Sequence, residues 1–443
     1  MSAPLQAPKG TRDFYPEDMR IQNHLFDTWR KACLDFAFEE YEGPTFEHLE
    51  LFTEKSGPEI VTQLYNFKDK GDRDIALRPE MTPTLARMIN QKGSSLKLPQ
   101  RWFSIPRLFR YEKAQKGRLR EFFQLNMDIL GCNTVAAEME LLAAIVGMLR
   151  GFGLKETDFA IHVSSRRLLS DLLDRMGVEA AKKPVVYSAL DKRAKLGGAE
   201  FKSLLLKEGL TEEHIGTVET FFGFKDIREL ATWVRQSGLE RLPVPEAPAA
   251  PTPAPVSGLA ELETLFRLMA DQGLAGYLRL DTSIVRGLAY YTGIVFEVYD
   301  RAQENRAIAG GGRYDNLLAN LGGLSLSGVG FGMGDVVLCD LLREKGLLPK
   351  GRDAVDYYLV DVAPKETALP NPELLGLAGR LREKGRRTAY ALAGEKFKKQ
   401  MAQANDMGAR KVLFFGSDKA GPGMHEVKDM ATGEQAVVGE EGL

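Results

Sequence analysis

RWFSIPRLFRYE (Arg101–Glu112) reads as a β-strand, and EFFQLNMDILG (Glu121–Gly131) as its partner across a basic connection, Lys113 to Arg120. Successive side chains of a strand point to opposite faces, and the second strand sorts cleanly on that rule. Phe123, Leu125, Met127 and Ile129 fall on one face; Gln124, Asn126 and Asp128 fall on the other. Arg110 and Glu112 share a face of the first strand. An antiparallel pair with one apolar face and Arg, Gln, Asn and Asp on the other suits a polar ligand. A solvent-facing sheet obeys the same alternation, but the arginine-rich connection beside this one favours a site.

Working outward, Pro16-Glu17-Asp18 opens a helix with a proline and acids in its first turn. Ile21, Leu25, Trp29, Cys33 and Phe36 follow at helical spacing, with an end expected near Tyr41, before Gly43-Pro44 turns the chain. LRPEMTP (Leu77–Pro83) ends a strand and starts a helix, with Thr82 as N-cap and Pro83 at the first helical position. RGLAYYTG (Arg286–Gly293) precedes an alternating strand, Ile294 to Tyr299. GGGRYD (Gly310–Asp315) is expected to enter a helix, its glycines serving either close backbone approach to a ligand or a tight strand–helix turn.

Residues 166–242 carry helical stripes such as Leu168, Leu169, Leu172 and Leu173, and the run Pro243 to Pro255 holds six prolines, which makes it a linker or exposed loop. After a Pro/Gly break at Leu348–Asp353 the pattern becomes strand (Tyr357–Val362), helix (Leu374–Lys384), strand (Thr388–Leu392), helix (Lys396–Met407) and strand (Lys411–Phe415). That is a βαβαβ unit with parallel strands.

The chain has 443 residues, 44% of them hydrophobic and 27% charged, a composition outside the collagen-like, disordered and coiled-coil classes. Its longest apolar helical stretch, Leu141–Leu149, is too short to span a bilayer. Met1–Lys9 lacks a secretory pattern, and three scattered cysteines fit a reducing cytoplasm better than a disulfide framework. Five scattered histidines give no zinc spacing, and neither a P-loop nor a GxGxxG pattern is present. Net charge is −2, yet Lys97–Arg120 and Arg380–Lys411 each carry an excess of seven positive charges. Two basic islands in an acidic body point to phosphates at two places.

KGTRD (Lys9–Asp13), LRPE-x-T, FRYEKAQKGRLREFFQ, RGLAYYTGIVFE and GGGRYD together, in this order over nearly the whole chain, resemble the class II aminoacyl-tRNA synthetases, specifically the histidyl-tRNA synthetase family. The resemblance implies an α/β (α+β) fold: a class II synthetase antiparallel sheet flanked by helices, with a helical insertion and a C-terminal βαβαβ anticodon-binding domain. The implied division is a catalytic core at 1–165 and 258–347, a helical insertion at 166–257 with its Pro/Ala-rich segment at 243–255, and the anticodon-binding domain at 353–443. The implied reaction is ATP-dependent ligation of L-histidine to tRNA(His) through a histidyl-adenylate, with Mg2+ accompanying ATP. Its implied setting is a cytoplasmic homodimer with no membrane partner.

By the same resemblance Arg110 holds the α-phosphate, and Arg286 bridges it to the histidine carboxylate; these two are the catalytic candidates. Glu80, Thr82 and Gln124 bind the substrate ammonium, Asp128 and Tyr291 read the imidazole, and Tyr290 completes the histidine set. Arg118 and Arg120 approach the ATP phosphates, Phe122 stacks on adenine, and Glu112 joins the ATP set. Lys396, Lys398 and Lys399 face RNA. Three positions depart from the family pattern. Ala289 stands where aspartate is usual, and Val336 and Val337 stand in the third motif where glutamate and an adenine-packing arginine are usual. The departures make a histidine-sensing regulatory subunit of ATP phosphoribosyltransferase the alternative reading, and another class II synthetase a third. Against the regulatory reading, this chain keeps Arg110, Arg286, the hairpin loop and a C-terminal domain.

Overall fold

The structure is a computed structural model that describes residues 5–56, 58–113, 115, 117–191, 193, 198–238, 257–285, 290–302, 305–350, 355–363 and 369–443. The chain divides into two compact units, Met1–Tyr15 with Ile21–Leu348, and Pro349–Leu443 with Pro16–Arg20. A nine-stranded sheet organises the first. From one edge its strands are Glu39–Glu40, Gln100–Ser104, Glu121–Leu130, Gly328–Gly334, Ala309–Arg313, Ile294–Asp300, Phe159–Ser165 and Leu278–Leu280. The ninth, Arg107–Phe109, pairs with the start of Glu121–Leu130. Inner pairings are antiparallel, and the two edge pairs are parallel.

The alternation read in Glu121–Leu130 is what builds the main core. Leu125, Met127 and Ile129 pack there with Trp29 and Cys33 of helix Pro16–Asp35 and with Leu142 and Leu149 of helix Ala136–Gly151. Each such side chain removed from water contributes about 1.5–3 kcal/mol, so this face is committed to packing and the opposite face is left to Gln124, Asn126 and Asp128.

Four local expectations need correction. The first helix stops at Asp35 and not near Tyr41. Ala37 takes a left-handed turn (φ 59°), which swings Phe38 into the core and lets Glu39–Glu40 join the sheet edge. The strand expected over Arg101–Glu112 is two strands, Gln100–Ser104 and Arg107–Phe109, divided at Ile105-Pro106, because proline offers no N–H to the ladder. Arg110 and Glu112 therefore lie beyond the strand. The N-cap of helix Thr82–Lys92 is Met81, and Thr82 is its first residue, so the threonine hydroxyl is not used for capping. Gly310–Gly312 lie inside strand Ala309–Arg313 and not in a turn. A Cβ on Gly311 would meet the Gly330 carbonyl oxygen at 2.1 Å, and one on Gly312 the Ile294 carbonyl oxygen at 2.7 Å. Close approach between strands is what these glycines permit.

Residues 166–236 form helices Arg166–Arg175, Lys183–Asp191, Gly198–Lys207, Glu212–Gly223 and Ile227–Gln236. The Pro/Ala-rich segment lies outside the described residues. A small sheet of Phe46–His48, Asp74–Leu77 and Asn66–Lys68 holds the strand that leads into Glu80.

In the second unit, Tyr357–Asp361 is flanked by the parallel strands Thr388–Tyr390 and Lys411–Phe415, with helices Pro372–Glu383 and Phe397–Asp406 as the crossovers. Two antiparallel strands the sequence reading did not find, Met424–Asp429 and Gln435–Gly439, extend this sheet to five.

Candidate active site

The polar face of Glu121–Leu130 forms the floor of a cavity of about 310 Å³. Gln124, Asn126 and Asp128 point into it beside Gly330 and Gly332 of the neighbouring strand and Gly310 of the next. Those glycines add no side chains of their own to the floor. A Cβ on Gly330 would lie 1.9 Å from the Asp128 Oδ1, and one on Gly332 would lie 2.8 Å from the Gln124 side chain. The alternating glycines of GVGFGMG (Gly328–Gly334) thus give Gln124 and Asp128 the room they occupy. Period-two glycine on one face of a strand is a sequence signal that the reading above passed over.

The walls come from the motifs flanking the sheet. Glu80 and Thr82 line the cavity at the start of helix Thr82–Lys92, and Tyr290, Tyr291 and Tyr314 line it as well. The segment bearing Glu80 is held by Arg78, which is buried and donates to Glu42 Oε1 (2.5 Å), the Gly43 carbonyl (2.8 Å) and the Arg107 carbonyl (3.1 Å). Tyr314, which the sequence reading gave no role, donates its hydroxyl to Asp128 Oδ1 at 2.5 Å. Burial, and next the Asp128 charge, push the Tyr314 hydroxyl well above its ordinary pKa, so it stays a neutral donor. Asp128, 4% exposed, is therefore aimed by a neighbouring tyrosine.

The arginine of GGGRYD does not reach this cavity. Arg313 is buried and donates to both oxygens of Glu138 (2.6 and 2.5 Å), to the Cys132 and Thr134 carbonyls, and to Ser327 Oγ. It pins the glycine strand to helix Ala136–Gly151.

A second cavity, of about 240 Å³, adjoins the first and shares Arg110, Gln124, Gly310 and Gly332 with it. Phe122, Arg118, Val336 and Val337 line it, as do Glu297 and Arg306, two residues the sequence reading missed. Arg110 stands at the junction, its Nε donating to the Pro79 carbonyl at 3.0 Å and its guanidinium lying 5.2 Å from the Phe122 ring centroid. Glu112 lines the first cavity and is ion-paired with Arg118.

Arg120 lines neither cavity. Its Nε donates to the Glu112 carbonyl (3.1 Å), its guanidinium lies 4.4 Å from the Tyr111 ring centroid, and its backbone N–H donates to the Gly10 carbonyl (2.9 Å). These contacts tie the hairpin to the N-terminal segment. Arg286 and Ala289 lie outside the described residues. In the second unit Lys396 is the N-cap of helix Phe397–Asp406, and Lys396, Lys398 and Lys399 are all exposed; Lys399 pairs with Glu395 at 2.8 Å.

Two adjoining polar cavities, one floored by Gln124 and Asp128 and one bounded by Phe122, meet at a single arginine. Comparison with known proteins says whose geometry this is. The family model for histidyl-tRNA synthetase matches residues 10–334. The chain belongs to the histidyl-tRNA synthetase family. The model for an anticodon binding domain matches residues 359–442. A relative from Opitutus terrae named histidine–tRNA ligase is 39% identical, over 97% of this chain and 95% of its own. The chloroplastic/mitochondrial histidine–tRNA ligase of Arabidopsis thaliana is 38% identical, over 97% and 84%. The crystal structure of histidyl-tRNA synthetase from Nostoc sp. PCC 7120 shares the fold, with a TM-score of 0.78 at 24% identity, covering 99% of this chain and 98% of that one. The mixed sheet flanked by helices, with a separate C-terminal sheet, is the class II architecture of this histidyl-tRNA synthetase family.

Proposed function

We propose that the chain joins L-histidine to tRNA(His) in two steps, first forming histidyl-adenylate and pyrophosphate from histidine and ATP, then transferring the histidyl group to tRNA with release of AMP. The observation that carries this is the meeting of the two cavities at Arg110 and Gln124, in a chain of this family. Adenylate formation attacks the α-phosphorus with a carboxylate, two anions that must be brought together, so charge stabilisation and positioning do most of the catalytic work.

In this reading histidine occupies the first cavity. Glu80, Thr82 and Gln124 bind its ammonium, and Asp128 with Tyr290 and Tyr291 binds the imidazole. A buried polar set matched to two ring nitrogens rejects isosteres that leave it unsatisfied. ATP occupies the second cavity, its base against Phe122 and its phosphates towards Arg110 and Arg118, with Glu112 beside them. Arg286 bridges the carboxylate and the α-phosphate. Magnesium arrives on the ATP phosphates as part of the substrate; among the described residues no group of three or more His, Cys, Asp or Glu side chains could hold a metal ion.

The C-terminal domain, from residue 353, binds the anticodon arm through Lys396, Lys398 and Lys399, and the helices of 166–257 form an insertion into a core of 1–165 and 258–347. A homodimer is the proposed assembly, supported by two aromatic side chains that stand out from the small sheet, Phe46 (57% exposed) and Phe67 (50%). The proposed compartment is the cytoplasm, supported by three unpaired cysteines; among the described residues no helix is long and apolar enough to cross a membrane. The test is histidine-dependent ATP–pyrophosphate exchange followed by charging of tRNA(His). Exchange with charging is expected; histidine binding without exchange would instead favour the regulatory-subunit reading.

A further inference from the structure

The second cavity is lined by an arginine from outside the hairpin, Arg306. It stands just ahead of strand Ala309–Arg313 and is exposed. A Cβ on Gly117 would lie 3.4 Å from Arg306 Cδ and 3.3 Å from Val337 Cγ2. The arginine stem and the valine thus converge on one spot at the hairpin loop, from two separate segments of the chain. The other arginines of this cavity are committed, Arg118 to Glu112 and Arg110 to the Pro79 carbonyl. Among the described residues no acid forms an ion pair with Arg306. Opposite chemistry is already in place, since Phe122 offers a ring face and Val336 and Val337 offer apolar wall. A flat heterocycle in such a slot gains from a planar cation on its exposed face, and guanidinium stacks on π-systems where ammonium does not.

We infer that Arg306 is the guanidinium that stacks on the nucleotide base in this cavity, reaching from the segment before Ala309 to the place where Val337 brings no cation. The inference rests on the nucleotide reading of the same cavity. It makes Arg306 a base-binding residue, with the phosphates left to Arg110 and Arg118.

The experiment uses the full chain in histidine-dependent ATP–pyrophosphate exchange, comparing wild type with Arg306→Ala and Arg306→Lys. Arg306→Ala should raise the ATP KM about 3- to 30-fold, weaken inhibition by AMP by a similar factor, and leave the histidine KM and Tm unmoved. Arg306→Lys should recover only part of the loss. A higher ATP KM with unchanged AMP inhibition would assign Arg306 to the outer phosphates and overturn the inference. So would a parallel rise in the histidine KM, which marks a structural defect, or an ATP KM that does not move. A wild-type chain without exchange would overturn the nucleotide reading itself, and the inference with it; an active wild type with an unaffected Arg306→Ala variant overturns the inference alone.

Discussion

Arg12 and Asp335, 323 residues apart in sequence, are joined by a 2.7 Å ion pair. Asp335 is almost wholly buried, and burial raises its carboxyl pKa against the opposing pull of Arg12. Its second oxygen accepts the Phe123 N–H at 3.1 Å. One carboxylate therefore ties the N-terminal segment to the strand that carries Phe122 and to the helix that carries Val336 and Val337, and the last two of these elements line the second cavity, the one proposed for the nucleotide. Arg12→Ala leaves that carboxylate without its cation, and the expected loss is about 2 kcal/mol, below the figure for a fully buried pair because Arg12 is partly exposed. The ATP KM should rise while the histidine KM stays near its wild-type value. Adding Asp335→Asn should restore part of the stability, since the amide oxygen still accepts from Phe123 and no charge is left buried. A double-mutant cycle by thermal unfolding measures this coupling; additive losses would show that the pair does not act as a tether.

Gly330 offers a sharper test of the cavity proposed for histidine. Its missing Cβ leaves the space that Asp128 Oδ1 fills, only 1.9 Å from where a methyl would stand, with the Met127 carbonyl 2.9 Å away. Gly330→Ala must displace the carboxylate or bend the strand. The expected result is a histidine KM raised by at least about tenfold, the scale of losing one charge-assisted hydrogen bond. Gly334→Ala is the control, because a Cβ there meets nothing within 4 Å. Equal effects from both substitutions would show that general strand flexibility, and not the placement of Asp128, governs the site.

What the sequence made legible was set by periodicity. The two-residue alternation of Glu121–Leu130 decided which face packs and which face binds, and the βαβαβ unit was readable because its strands and helices have distinct periods. What stayed hidden depends on contacts between distant segments. Tyr314 aims Asp128 from 186 residues away, and nothing in the local pattern of GGGRYD separates that tyrosine's role from Arg313's structural one. Arg120 and Arg118 are indistinguishable in a basic loop, yet one faces the N-terminal segment and the other a cavity. The split at Pro106 was visible as a residue type; the apolar run around it suggested one continuous strand.

Glu261 makes stability depend on pH. It lies on helix Gly258–Asp271, 8% exposed, and its Oε2 has no hydrogen-bond partner among the described residues. Burial pushes its pKa up from 4.5 to about 7, with Arg167 opposing (3.4 Å) and the Glu138 charge adding. The folded value lies above the unfolded one. Its favourable contribution is therefore complete below about pH 4.5 and is lost as pH rises through about 7. Glu261→Gln mimics the protonated form. At about pH 8 the glutamine variant should be more stable by on the order of 1–3 kcal/mol, and the advantage should shrink towards about pH 5. Denaturant unfolding of both proteins across this range measures it; a constant difference would mean that Glu261 titrates normally in the folded chain.

The lysines of the second unit should separate RNA binding from amino-acid activation. Lys396, Lys398 and Lys399 are exposed at the start of helix Phe397–Asp406, but Lys399 is neutralised by Glu395 at 2.8 Å. Each lysine that contacts a phosphate releases counterions, and its removal should lower the slope of log K against log salt by about 0.7–0.9. Lys396→Ala and Lys398→Ala are each expected to show that loss in tRNA(His) binding. Lys399→Ala should show less, because its charge is already shared with a carboxylate. Histidine-dependent ATP–pyrophosphate exchange should be unchanged in all three, since none of them lines either cavity. Filter binding at several salt concentrations, with exchange measured on the same preparations, decides the matter. A loss of exchange would tie these lysines to activation, and an unchanged salt slope in Lys396→Ala and Lys398→Ala would remove them from the RNA interface.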